Sequence, residues 1–328
     1  LAPTRLADVI VPEIFAPYVL ERTADLSALY QSSIIESNEE LNSIATGGGS
    51  TANMPFFQDL SGSSELLSET VPLTVNNITS ARDICSIHQR GKAWGANFLA
   101  KAKSGADPMA QIADLVADWW ARDMQATLIA TLRGVFASAT MASEQVLDLS
   151  IEAGNAATAD NLISSGATLN ALKKLGDATN AITAIAMHSD IYYSLLDQDV
   201  IQFDAPSEQG ISLPRYKGRQ VIVDDGMPKV AGTTSGFKYD TYLFGAGSIN
   251  YGEATLDPMD AVETDRDSLQ GDDYLVNRRR FVLHPVGVRW QGTPAGTSPS
   301  NGELAVGTNW SRVYTKKNTR LILLRTNG

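Results

Sequence analysis

Among its 328 residues the chain has one cysteine, Cys85, and three histidines, His88, His188 and His284. A lone thiol excludes an intrachain disulfide and a cysteine-cluster metal site, and it makes a reducing compartment the simpler expectation. The histidines stand far apart, each beside a predicted strand and none paired at i, i+4, so a zinc site is not expected. Long apolar runs are missing too: none approaches the length of a bilayer span, and the first residues lack the basic and apolar blocks of a signal peptide. The chain opens on Leu1 rather than Met, from which removal of an upstream segment is expected. Basic residues are in deficit, 26 Lys and Arg against 37 Asp and Glu, for a formal charge of -11. General binding to a phosphate backbone relies on clustered Lys and Arg, so this balance argues against it. A protein that surrounds nucleic acid without gripping it stays compatible.

Catalytic motifs fail one by one. Gly48-Gly49-Ser50-Thr51-Ala52 breaks the Gly-x-Ser-x-Gly pattern at its last position. Gly47, Gly48 and Gly49 are followed by no Gly-Lys-Ser/Thr and therefore read as a hinge rather than a phosphate loop. Cys85 and His88 invite a nucleophile and base, but an i, i+3 pair in a strand points to opposite faces, and a buried inert thiol is the better reading. Asp265, Asp267, Asp272 and Asp273 suggest calcium, yet Leu269 sits where the loop needs an oxygen and Gly271 comes one residue late. A single structural cation among these carboxylates stays open. With no carboxylate pair placed for acid and base work, the chain reads as catalytically silent, with no enzyme activity and no cofactor expected.

What the chain does have is one very long helical stretch, residues 107–137. Asp107 suits an N-cap and Pro108 the first turn, and the helix would run about 45 Å. In its first half Ile112, Leu115, Val116 and Trp119 share one face; later Met124, Leu128, Leu132 and Phe136 cluster on the opposite side, with Asp123 where the apolar face had been. A helix that changes its buried face is touched by different elements along its length, like a spine.

Around it the pattern is mixed. Residues 1–45 read as an arm with short apolar patterns, Pro12, Ile14, Phe15, Tyr18 and Val19, then Leu26, Leu29 and Tyr30. After the glycine hinge, residues 51–95 predict an extended hairpin with a polar tip at 59–64, a return strand through Leu66, Leu67, Val71, Leu73, Val75 and Ile78, and a continuation through Ile84 and Ile87 toward Trp94. Its tip is acidic (Asp59, Glu65, Glu69), while Arg82, Arg90, Lys92, Lys101 and Lys103 make residues 82–103 basic. Residues 138–160 read as a connector. A helix capped by Thr168 and ended by Gly176, a buried strand at 182–187, a helix capped by Ser189 or Asp190, and strands at 220–223, 239–245 and 248–251 give a compact α+β region, with a loop holding Pro206, Gly210 and Pro214 between them. Residues 274–290 predict one long strand carrying Arg278, Arg279, Arg280 and Arg289, a basic face able to receive an acidic loop, and 321–324 a closing strand.

This order resembles the major capsid (coat) proteins of tailed bacteriophages, whose HK-ninety-seven-like fold is shared by encapsulin shells. The likeness is carried by Pro12-Glu13-Ile14-Phe15 in the arm, the hinge with Met54-Pro55, the 107–137 helix, Ala184-Ile185-Ala186-Met187-His188, and Tyr216-Lys217-Gly218-Arg219 through to Asp225-Gly226. It implies an α+β fold with an N-terminal arm (1–50), an extended E-loop (51–95), a peripheral domain with the spine helix (96–150 and 256–328) and an axial domain (151–255). It also implies a structural role in the virion: copies joining as hexamers and pentamers into an icosahedral shell around double-stranded DNA held without sequence-specific binding. Assembly would occur in the host cytoplasm, with scaffolding, portal and decoration proteins as partners and no membrane. The inter-subunit contacts expected are Asp59, Glu65 and Glu69 with Arg278, Arg279 and Arg280 of a neighbour. Some shells of this kind are joined covalently through an E-loop lysine, but no lysine lies between Thr51 and Arg90, so a noncovalent shell is expected. The alternatives are an encapsulin-type compartment and a hydrolase with an unrecognised site.

Overall fold

The computed structural model describes residues 34–37, 39–60, 62–67, 69–70, 72–97, 108–203, 214–256, 261–269 and 271–328. The arm patterns built on Pro12 to Tyr30, the cap at Asp107, Lys101, Lys103, Pro206 and Gly210 lie outside these residues.

In chain order the elements are β1 (Ile35–Ser37), α1 (Glu39–Thr46), β2 (Thr51–Phe57), β3 (Ser80–Asn97), α2 (Pro108–Ala137), α3 (Ala139–Glu144), β4 (Val146–Asp148), α4 (Ser165–Leu172), β5 (Ile182–Met187), α5 (Ser189–Asp197) and β6 (Ile201–Phe203). They continue with β7 (Pro214–Tyr216), β8 (Arg219–Val223), β9 (Lys229–Ala231), β10 (Phe237–Gly245), β11 (Ile249–Glu253), β12 (Val262–Asp267), β13 (Asp272–Pro285), β14 (Val288–Trp290), α6 (Asn301–Leu304), β15 (Trp310–Arg312), α7 (Lys316–Thr319) and β16 (Leu321–Thr326). Two large sheets organise them, beside a small one of β14 and β15. The first runs β1-β11-β13-β3-β2 with β12 also on β13; the second runs β4-β16-β10-β5-β8-β7-β6 with β9 on β10.

Strand alternation decides how the layers stack. On β13, Phe281 and Leu283 face α2, whereas Val282 faces the other way, against Leu41 and Ala45 of α1 and against Cys85 and Ile87. On the second sheet Ala184, Ala186, Tyr242, Phe244, Leu321 and Leu323 join the core around α2. Their neighbours Ile185, Leu243, Ile322 and Leu324 face α4 and α5. The second half of α2, with Met124, Leu128, Leu132 and Phe136, is thus buried between both sheets. Its first half rests on the first sheet alone, where Met109, Val116 and Trp120 meet Val262 and Leu275. That is the physical origin of the change of face.

Several local expectations are corrected. In the first half of α2 Val116, Ile112 and Trp119 pack inward as expected, together with the buried Met109, Ala117 and Trp120, while Leu115 is 59% exposed. Trp119 and Trp120 are set edge-on to one another and Trp94 is edge-on to Trp119, at 5.0 and 5.3 Å between ring centroids. The return strand of the hairpin starts only at Ser80, and the described residues between 58 and 79 form no helix or strand. Without another strand alongside, apolar residues there have nothing to bury against and no ladder forms. The connector holds α3 and also β4, which pairs in parallel with β16. Ser164, not Thr168, caps α4, accepting from the Ala167 N–H, and α4 ends at Leu172 before a kink at Gly176. His188 caps α5: its Nδ1 accepts from the Asp190 N–H at 3.1 Å. The long basic strand breaks into β13 and β14 at Gly287, whose φ is +76° and whose missing Cβ leaves room for the Tyr314 ring.

Candidate assembly surface

Hairpin strands β2 and β3 pair from Thr51 opposite Ser86 to Phe57 opposite Ser80. One further bond, Gln58 N–H to the Thr79 carbonyl at 2.8 Å, closes the ladder. Beyond it the Thr74 N–H donates to Glu65 at 3.0 Å, and the Leu60 N–H to Asp59 at 2.8 Å. The bond from Thr74 holds the Glu65 carboxyl below its ordinary range. Leu66 is 97%, Leu67 86% and Val75 88% exposed. Contiguous apolar side chains left in water mark a surface that is buried elsewhere. Sequence reasoning singled out the carboxylates of this tip as contacts and read its apolar residues as a return strand, although no further strand was at hand to cover them.

The three arginines of β13 separate. Arg278 pairs with Glu263 at 2.9 Å, both half-exposed, an ion pair worth well under about 1 kcal/mol. Arg280 donates to the Gly49 carbonyl at 3.1 Å and so ties the hinge to the sheet. Arg279 points the other way, is 6% exposed, and is held inside the subunit by Glu253. Arg278 and Arg280 remain on the sheet face away from α2, beside a trough of about 580 Å³ lined by Gly91, Ala93, Leu256 and Val276. Small residues on β3 opposite long ones on β13 make this hollow. On the α2 side, Arg90 donates to the Pro299 carbonyl and to Asn301 at 3.1 and 2.8 Å. An acidic, apolar tip and a cationic trough therefore occur on one chain.

The description "Major capsid protein 13-like", that of the Gp13-like family, matches residues 96–320. The major capsid protein of Bacillus phage SPP1 is 44% identical over 326 residues, covering 98% of each chain. The chain belongs to the Gp13-like family of major capsid proteins. It is a major capsid protein of a tailed phage and a component of the virion.

The fold of this capsid subunit is similar to solved shells at much lower identity. Against the Cyanophage Pam1 capsid the TM-score is 0.60 at 12% identity, over 93% of this chain and 92% of that one. Against the capsid of Ralstonia phage GP4 it is 0.60 at 10% identity, over 90% and 88%. These likenesses show the HK-ninety-seven-like capsid fold. In the capsid subunit Cys85 and His88 lie on opposite sides of the first sheet, Cys85 toward α1 and His88 against Phe281 at 5.1 Å. Burial pushes the Cys85 thiol up to about 11. Burial and the neighbouring Arg90 hold His88 down to about 3. Neither group is poised for proton transfer near neutrality.

Proposed function

We propose that this capsid protein assembles from copies of itself, through hexamers and pentamers, into an icosahedral shell that encloses double-stranded DNA without sequence-specific contacts. The observation that carries the reading is the tip between β2 and β3, where Leu66, Leu67 and Val75 are almost wholly exposed. A subunit content alone would not leave them so; a neighbour covering them gains roughly 25 cal/mol per Å² of apolar area. In this reading Glu65 and Glu69, with Asp59, lie against Arg278 and Arg280 of a sister subunit, while Arg279 keeps the receiving sheet in place. Residues 1–50 act as arm, 51–95 as E-loop, 96–150 with 256–328 as peripheral domain and 151–255 as axial domain. The role is structural rather than enzymatic. Scaffolding, portal and decoration proteins are its partners during assembly in the host cytoplasm. The net charge of -11 supports a container that does not hold its contents tightly. The phage capsids among its relatives favour this over a cargo-enclosing compartment.

Electron microscopy of the purified chain, alone and with a scaffolding partner, tests the reading. Closed particles of uniform size are expected; a persistent monomer under both conditions would overturn it.

A further inference from the structure

Leu269, the residue that breaks the calcium-loop pattern in the acidic stretch 265–273, stands in the turn that joins β12 to β13. The two strands pair out to Asp267 opposite Asp272. Beyond that pair the turn is braced from within: the Asp267 carboxylate accepts from the Leu269 N–H at 2.9 Å, its carbonyl accepts from the Gly271 N–H at 2.8 Å, and Gly271 takes a φ of +72°. Leu269 is thus held outward, 95% exposed. Negative charge gathers round it. Burial first, then Asp272, Asp267 and Asp265, hold the nearby Tyr274 hydroxyl above its ordinary range, while Arg266 is taken up by Asp273 at 3.5 Å. The turn is a preformed apolar knob in an acidic collar, and little ordering cost remains for it to meet a partner.

A matching hollow lies on α2. Arg122, Ala126, Ile129 and Arg133 follow one another at i, i+4, i+7 and i+11 and share one side of the helix. Gly226 and α6 wall in a cavity of about 700 Å³ over Ala126, Ile129 and Ala130. Two alanines in the floor leave room for a branched side chain. Arg122 and Arg133 flank it with their Cα atoms about 16 Å apart, and neither has an ion-pair partner among the described residues. At the Gly226 wall Asp224 is already held by Gln125 and by the Gly226 N–H. Past Arg133 the surface turns polar, where Arg325 binds Asp240, and the apolar floor ends.

Knob and hollow cannot meet within one chain. Leu275 packs with Val116 and Trp120, while Phe281 and Leu283 farther along β13 join the cluster of Met124 and Leu128. Strand and helix therefore run the same way, and the turn lies toward the N-terminal end of α2. Ten residues of helix from Val116 to Ala126 add about 15 Å and three residues of strand back from Leu275 about 10 Å, so the turn stands about 25 Å from the hollow of its own subunit. Two unlike, complementary patches on one chain make a head-to-tail contact between copies.

We propose that the β12–β13 turn of one subunit seats Leu269 in the α2 hollow of a second copy, with Asp265 and Asp272 against Arg122 and Arg133. The leucine supplies the apolar contact and the opposite charges set its register. This contact is separate from that of the β2–β3 tip and rests on the shell reading only in requiring that copies meet.

Mixing two single variants, Leu269→Cys and Ala126→Cys, and adding a short bismaleimide during assembly tests it, since the parent Cys85 is buried. A product of twice the subunit mass is expected when both variants are present and not with either alone. Particles without that product would overturn the contact and leave the shell reading standing, whereas a parent chain that stays monomeric would overturn both. Leu66→Cys in place of Leu269→Cys is expected to give no product; a product there alone would seat the hairpin tip in the hollow instead and overturn the proposal. A second measurement uses charge: Arg122→Glu with Arg133→Glu is expected to lower particle yield at least fivefold at unchanged circular dichroism, and adding Asp265→Lys with Asp272→Lys to recover it to within twofold. Parent-like yield from the first pair of substitutions, or no recovery with the second, would overturn the assignment.

Discussion

Arg279 of β13 holds both carboxylate oxygens of Glu253 on β11, Nε at 2.8 Å from Oε1 and Nη2 at 2.9 Å from Oε2. The same guanidinium lies 5.6 Å from the Trp120 ring and donates to the Met124 sulfur at 3.2 Å. One side chain thus joins two strands of the first sheet to the middle of α2, at the point where the helix changes its buried face. Glu253→Ala leaves this cation buried without its partner and is expected to cost on the order of 3 kcal/mol, discounted for the quarter of the Glu253 side chain that stays exposed. Arg279→Met, which removes the charge and keeps the stem volume, should cost less. Denaturant unfolding of the two variants checks the order; equal losses would mean packing alone decides.

Gly134 faces α6 so closely that an added Cβ would sit 1.9 Å from the Leu304 carbonyl oxygen and 2.7 Å from the Trp310 indole nitrogen. That nitrogen donates to the same carbonyl at 2.7 Å. Alanine normally gains about 1 kcal/mol over glycine inside a helix. Here Gly134→Ala should instead lose about 1–3 kcal/mol by overpacking. A thermal melt that rises rather than falls would show that α6 moves aside freely.

His88 is fully buried, and neither ring nitrogen has a hydrogen-bond partner among the described residues. Its folded pKa of about 3 lies below the ordinary 6.5, so the folded state resists a proton that the unfolded chain accepts. The neutral form is therefore no handicap above pH 6.5, and stability falls by up to about 1.4 kcal/mol per unit as pH drops from 6.5 toward 3. His88→Phe should flatten that part of the acid limb. Denaturation midpoints of parent and variant measured at pH 7 and pH 5 read the difference directly.

Reversing charge at the tip with Glu65→Lys and Glu69→Lys is expected to leave the subunit folded and to lower particle yield at least severalfold. Sedimentation of assembled against free protein, with circular dichroism as the fold control, gives both numbers. Normal particle yield would remove the tip carboxylates from the contact.

No lysine lies between Thr51 and Arg90, and Lys92 stands at the base of the hairpin, so nothing toward its tip can supply the amine for a covalent link. Assembled particles boiled in detergent should run as one band at the subunit mass. A ladder of multiples would show that joining chemistry starts from another part of the chain.

The amino-acid order by itself determined the long helix, because residues 108–137 contain no proline after Pro108 and only one glycine, and helix formation is a matter of neighbours three and four apart. It likewise determined β2, the part of β3 through Ile84 and Ile87, the buried β5 and the switch of apolar face after Trp119, all carried by local periodicity, but not the start of the return strand. Tertiary structure alone decided the rest. Strand alternation says that Arg279 points opposite to Arg278 and Arg280, but only the seat of α2 on that sheet says which side is the interior. The exposure of Leu115 and the burial of Trp120 depend on how Trp94 meets the helix across a long sequence separation. The apolar tip stays bare because no strand lies alongside it among the described residues, and the cavity over Ala126, Ile129 and Ala130 exists only because α6 and the turn at Gly226 arrive from distant parts of the sequence. Periodicity is local and can be read along the chain; which face is inside is set by long-range packing and cannot.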